Sequence, residues 1–246
     1  MKTIKQLLAV LAFFPLAASA SGPSVRLDKA PVNLSDNASL QRGAKMFVNY
    51  CLNCHSASYM RYSRLQDIGL TEEQIKSNLL FTTEKPGDTM TVAMKYADAK
   101  VWFGAAPPDL SVIARSRGPD WLYTYLRSFY RDDSRPTGWN NTAFDKVGMP
   151  HVMASLQGEQ VAHFKKAVDH DGNEHHVFDR FELVKPGSVS LAEYDSMVGD
   201  LVNYLTWMGE PVKQKRLSTG LLVLAFLGIF FIVAYYLKKE FWKDIH

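Results

Sequence analysis

The chain has 246 residues, with 28 Lys and Arg against 25 Asp and Glu, and a formal charge of +3. So small an excess excludes the strongly basic surface on which nucleic-acid binding depends. Two cysteines and 47% hydrophobic residues exclude a disulfide-dense scaffold and a disordered chain.

The first feature in chain order is MKTIKQLLAVLAFFPLAASA. Lys2 and Lys5 form a short positive region, Leu7 to Ala17 an apolar one, and Ala18-Ser19-Ala20 a small-residue cleavage site. The pattern predicts a secretory signal peptide over residues 1–20. Its apolar run is too short to cross a hydrocarbon core of about 30 Å. Removing it takes away two lysines and leaves a formal charge of +1.

SLQRGAKMFVNY follows. Leu40, Ala44, Phe47 and Val48 fall at i, i+4, i+7 and i+8, so the spacing predicts a helix with one apolar face. That helix leads into CLNCH, residues 51–55, which holds both cysteines. A Cys51–Cys54 disulfide would close a tiny loop and stabilise little. It would serve only as a redox pair of the thioredoxin type, which wants a strand before it rather than a helix. A zinc site needs four ligands, and no cysteine is left to supply them. C-x-x-C-H is the attachment sequence of c-type haem. Two thiols at this spacing match the two vinyl groups on one porphyrin edge, and the histidine that follows binds the iron from the proximal side. Cys51 and Cys54 are therefore expected to carry one covalent haem c, with His55 as its fifth ligand.

A sixth ligand is expected from the other side of the ring. Met46 is too close to the attachment site, and Met90 and Met94 lie in a segment without loop signals. Met149, in VGMPH, is flanked by Gly148 and Pro150, which disfavour regular structure and present the side chain from a loop. It follows His55 by 94 residues, enough chain to wrap a ring. Met149 is the candidate distal ligand, with Met153 and His151 as nearby rivals.

Residues 161–184, VAHFKKAVDHDGNEHHVFDRFELV, predict a β-hairpin turning at Asp171-Gly172, solvated rather than metal-binding. Ser190 and Glu193 form a capping box for a helix that Gly209 and Pro211 close, with Met197 and Met208 on it. Small c-type cytochromes cross an N-terminal helix with a C-terminal one. Gly43 and Phe47 are expected to meet Val202, Leu205 and Trp207, Gly43 permitting close approach.

LSTGLLVLAFLGIFFIVAYYL, Leu217 to Leu237, holds 21 residues without a charge. As a helix it spans about 31 Å, enough for a bilayer. Tyr235, Tyr236 and Trp242 sit where an aromatic belt belongs. Lys213, Lys215 and Arg216 on one side balance Lys238, Lys239 and Lys243 on the other, so charge alone does not orient the span. The export signal does, leaving only a short tail inside. The expected plan is a signal peptide over 1–20, an exported domain over 21–209, and an anchor with a cytoplasmic tail over 210–246. The fold expected is mainly α: a c-type cytochrome haem domain with insertions, a small β-hairpin, and one C-terminal transmembrane helix.

Four blocks stand out: CLNCH at 51–55, of a kind many cytochromes share, WFGAAPPDLSVIARSRG at 102–118 with its more particular Pro-Pro-Asp-Leu-Ser, RPTGWNNTAFDKVGMPH at 135–151, and DLVNYLTWMGEPVKQKRLSTG at 200–220 with its more particular Trp-x-x-Glu-Pro. With them the chain resembles the cytochrome c1 family of the proteobacterial kind. These are the haem subunits of the respiratory ubiquinol:cytochrome c oxidoreductase, the bc1 complex. The resemblance covers essentially the whole mature chain. It implies Cys51, Cys54 and His55 for attachment and proximal ligation, and Met149 as distal ligand. It also implies Arg117 near a haem propionate; by itself Arg117 reads as a solvated charge. It further implies an electron carrier in the inner membrane with its haem domain in the periplasm. The Rieske iron–sulfur subunit would reduce it, cytochrome b would assemble with it, and a soluble cytochrome c or equivalent carrier would take the electron. No bond-making or bond-breaking of its own is expected, and no nucleic-acid partner. The rivals are another membrane-anchored c-type cytochrome, such as an oxidase or reductase subunit, and a tethered thiol–disulfide oxidoreductase.

Overall fold

The computed structural model describes residues 25–168, 172 and 174–244. The expected signal peptide and Asp171 of the expected turn lie outside them.

Helix α1 (Asn37–Met46) opens where the Asp36 carboxylate accepts from Ser39 N–H at 3.0 Å. Its buried face carries Leu40 and Ala44, as the spacing predicts. The helix then widens into a π turn over Phe47–Cys51, with Leu52 N–H donating to the Phe47 carbonyl. The periodicity did not announce this turn. A π turn spends one extra residue per turn. It keeps Phe47, Val48 and Cys51 buried together.

Strand β1 (Ala57–Arg61) pairs antiparallel with β2 (Thr89–Met90), and a 3₁₀ segment, Tyr62–Ile68, and α2 (Glu72–Asn78) lie between them. Helices α3 (Tyr96–Phe103), α4 (Ile113–Ser116) and α5 (Pro119–Arg127) follow. A second short ladder joins β3 (Phe129–Arg131) to β4 (Trp139–Asn141). After α6 (Ala154–Gln157), β5 (Gly158–Val168) and β6 (Glu174–Pro186) make the expected hairpin, longer at both ends than residues 161–184. Its polar side chains meet across the strands: His163 bonds Glu182 at 2.7 Å, and Lys166–Glu174 at 2.8 Å and Lys165–Asp179 at 3.2 Å are ion pairs.

Helix α7 (Leu191–Gly209) starts at the Ser190–Glu193 capping box and stops at Gly209, as expected. It crosses α1 at Gly43, where an added Cβ would lie 2.1 Å from the Asp200 carbonyl oxygen and 2.6 Å from Tyr204 Cβ. Phe47 meets the Tyr204 ring at 5.6 Å. The crossing was expected, and at Gly43 itself the nearest atoms belong to Asp200 and Tyr204, one helical turn apart. Phe47, Val202, Leu205 and Trp207 share one buried core, and Leu201 and Leu205 also face a cavity. Arg42 pairs with Asp200 through two guanidinium nitrogens, Nε at 2.6 and Nη2 at 3.0 Å. Asn203 donates to the Asn33 carbonyl and to Ser39 Oγ.

Helix α8 (Lys213–Phe241) has no buried residue and a mean hydropathy of 2.6 over its most apolar stretch. An apolar helix so fully exposed is suited to lipid rather than to a protein core.

Candidate haem site

The π turn delivers Cys51 into the core, and the chain then folds tightly. Cys54 N–H and His55 N–H both donate to the Cys51 carbonyl, at 3.1 and 2.8 Å. Both thiols are free. Burial pushes the Cys51 thiol up to about 12, with Cys54 nearby adding to the shift, and burial also raises the Cys54 thiol. A thiol–disulfide enzyme works through a lowered thiol. These two sit the other way, which argues against that reading.

His55 is held by the Pro-Pro-Asp-Leu-Ser block. Its Nδ1–H donates to the Pro108 carbonyl at 2.8 Å. A carbonyl can only accept, so Nδ1 carries the proton and Nε2 keeps its lone pair for a metal. Burial lowers the imidazole's affinity for a second proton, opposed by the Pro108 bond and by Asp109. Asp109 ties the block to β1: its carboxylate accepts from Ser58 N–H and Ser111 N–H, each at 2.8 Å. Burial works to raise this carboxyl, but the hydrogen bonds from Ser111 and Ser58 outweigh it and hold the carboxyl below its ordinary value. Leu110 N–H donates to the Ser56 carbonyl at 2.8 Å, and Ser111 Oγ accepts from Tyr59 N–H at 3.1 Å. In the sequence Pro108 and Asp109 stand only as part of the Pro-Pro-Asp-Leu-Ser block, which does not reveal their job.

A cavity of about 320 Å³ opens against this motif. Cys51, Cys54, His55, Met149 and Arg117 all line it, so the structure brings together the five residues singled out by sequence. Its other walls are mostly apolar, from Pro107 and Ile113 to Leu201 and Leu205 on α7. Met149 comes from a segment without regular structure and is half-buried. Tyr125 donates its O–H to Met149 Sδ at 3.3 Å, and burial pushes the Tyr125 phenol well above its ordinary value. Arg117 is exposed at the cavity's edge, its guanidinium 5.0 Å from the Trp121 ring centre and 5.9 Å from that of Phe144.

The rivals of Met149 are committed elsewhere. Met153 is 1% exposed within the core. His151 stacks on Phe129 at 4.9 Å with rings 2° from parallel, and bonds Gln157 Oε1 through Nε2 at 2.7 Å. Neither lines the cavity. Burial pulls His151 down to about 4, the Gln157 bond opposing.

Two thiols, an imidazole nitrogen with a free lone pair and a thioether sulfur around one apolar cavity are a donor set that fits a c-type haem. Among the described residues no cluster of His, Cys, Asp and Glu is grouped for another metal. A helical body with this site, carried on one exposed apolar helix, defines the class of membrane-anchored cytochromes.

The comparisons make the family specific. The cytochrome C1 family model matches residues 28–177 and 181–245. The chain is 52% identical over 233 residues to cytochrome c1 of Allochromatium vinosum, covering 94% of this chain and 95% of that one. It is 50% identical over 246 residues, the whole of both chains, to a Nitrosomonas europaea protein named ammonia monooxygenase gamma subunit. Cytochrome c1 of Rhodospirillum rubrum is 30% identical over 238 residues, 85% of this chain and 83% of that one. This chain belongs to the cytochrome c1 family.

Proposed function

We propose that the chain is the cytochrome c1 subunit of a respiratory ubiquinol:cytochrome c oxidoreductase. It takes electrons from a Rieske iron–sulfur subunit, assembles with cytochrome b, and passes electrons to a soluble cytochrome c or equivalent carrier. The observation that carries the reading is the meeting of Cys51, Cys54, His55 and Met149 at one apolar cavity in a chain of this family.

Cys51 and Cys54 would attach one haem c, His55 Nε2 and Met149 Sδ would be its axial ligands, and Arg117 would pair with a propionate at the cavity's edge. When bound, the haem supplies one-electron oxidation and reduction at its iron. The chain's own residues hold and tune it. Pro108 and Asp109 fix the His55 ring and its tautomer. Leu201, Leu205 and Leu122 keep water from the cavity wall. The guanidinium of Arg117 offers a planar cation for a carboxylate. In the reading proposed, residues 1–20 are removed on export, 21–209 form the periplasmic haem domain, and 210–246 hold it at the inner membrane by a single pass.

The test is a haem-stained denaturing gel and a redox-difference spectrum of the complex purified from membranes. A covalent haem band at this chain's mass, a c-type spectrum, and co-purifying cytochrome b and iron–sulfur subunits are the expected result. Cys51→Ala with Cys54→Ala should abolish the band, since no other thiol exists. A full-strength band from that double variant would sink the reading. The name of the Nitrosomonas relative offers a second one, an oxygenase subunit; oxygenase polypeptides co-purifying in place of cytochrome b would favour it.

A further inference from the structure

Tyr125 stands on α5 with its ring in the cavity wall. Trp121 stacks on one face at 4.8 Å and 10° from parallel, and Phe129 meets it edge-on at 5.1 Å. The backbone behind it is pinned, the Tyr125 carbonyl accepting from Asn141 Nδ2 at 2.8 Å. Among the described residues the Tyr125 hydroxyl has one partner, Met149 Sδ at 3.3 Å. A buried phenol must donate somewhere, and sulfur is a weak acceptor that apolar surroundings make worthwhile. Packing alone would be served as well by phenylalanine, without a hydroxyl to satisfy.

We propose that Tyr125 is a positioning residue for the distal ligand, its O–H fixing the Met149 sulfur and drawing electron density from it so as to raise the haem's reduction potential. The inference rests on the reading of Met149 as the sixth ligand. A thioether sulfur has two lone pairs. One is free for the iron while the other accepts from the phenol. Drawing density away weakens donation to the oxidised iron more than to the reduced iron, because the more highly charged form depends more on it. A hydrogen bond donated to the ligand sulfur therefore favours the reduced form, as hydrogen bonds to the atoms that bind the iron tune its potential.

The experiment uses the full chain in its membrane complex. In Tyr125→Phe the haem stays covalently bound and the weak red band from sulfur-to-ferric-iron charge transfer remains but shifts. At a fixed poise the oxidised-to-reduced ratio rises about two- to fivefold, a midpoint fall of about 20–40 mV at 59 mV per tenfold change. A midpoint equal to that of the native chain, with the band unshifted, would overturn the proposal and leave Tyr125 a packing residue. Growth on 3-fluorotyrosine gives a second test with the fold intact. The more acidic phenol is a stronger donor, so the native chain's midpoint rises, and no rise would again overturn the proposal. Met149→Leu separates this inference from the reading beneath it. If that variant keeps the native midpoint and band, Met149 is no ligand and both fall. If it loses the band while Tyr125→Phe matches the native chain, only the role of Tyr125 falls.

Discussion

At position 149 a leucine would fill nearly the volume of the methionine without its sulfur. Met149→Leu is therefore expected to keep its haem, because thioether attachment at Cys51 and Cys54 does not depend on the sixth ligand. Its potential should fall by about 100 mV or more, given the range that axial ligands command. Potentiometric titration of the purified complex measures this, and Met153→Leu is the control that should leave the potential unchanged. The residues alone favoured Met149, set between Gly148 and Pro150, but left Met153 and His151 nearby as rivals. What separates them is long-range packing: Met153 is consumed by the core, and His151 by Phe129 and Gln157. Pro108 was out of reach in the same way. Its carbonyl matters because it faces a ring 53 residues earlier in the chain, and no local pattern encodes that.

At the scale of elements, the crossing of α1 and α7 decides whether the cavity keeps its wall. Gly43→Ala puts a methyl group against the backbone of Asp200, where neither partner can give way as a flexible side chain would. The cost expected is about 1–3 kcal/mol, typical of overpacking, seen as a lower thermal midpoint and weaker haem staining. The start of α7 offers a milder test. Ser190 Oγ accepts from Glu193 N–H at 3.3 Å, and the Glu193 carboxylate accepts from Ser190 N–H at 2.8 Å. Ser190→Ala should cost about 1 kcal/mol, as N-cap losses do. Those bonds from the Ser190 backbone and hydroxyl hold the Glu193 carboxyl below its ordinary value. A carboxyl that is more acidic folded than unfolded stabilises the protein above its unfolded value of 4.5. That contribution fades as pH falls through the lower folded value. In Glu193→Gln the acid-side loss of stability should be correspondingly shallower, as read by thermal melts between neutral pH and the onset of acid unfolding. The capping box and the helix stop were legible because both are local chemistry. The π turn was not, since Leu40, Ala44, Phe47 and Val48 give one face whether the last turn is α or π.

On the scale of the whole molecule, α8 is joined to the body by little. Gln214 Nε2 donates to Ser35 Oγ at 2.8 Å, both exposed, and the exposed Arg216 pairs at 2.5 Å with the partly buried Glu210. With one partner on the surface such links contribute little, and α8 buries no side chain in the body. A chain ended after Glu210 should therefore leave the membrane and keep its haem and its spectrum, within a few degrees of the parent's thermal midpoint. Loss of haem from that soluble form would show the anchor to be part of the fold. The sequence by itself determined what depends on neighbours along the chain: the attachment motif, the capped helix, the hairpin and the uncharged span long enough for a bilayer. Each is written in spacing, and spacing survives without a fold. Only the tertiary structure decided which faces meet. It set Asp200 and Tyr204 against Gly43, brought Arg117 and Met149 to the cavity of Cys51 and His55, and set the Tyr125 hydroxyl on the Met149 sulfur. Those contacts join segments dozens of residues apart, and they follow from how apolar faces close on one another rather than from any local pattern.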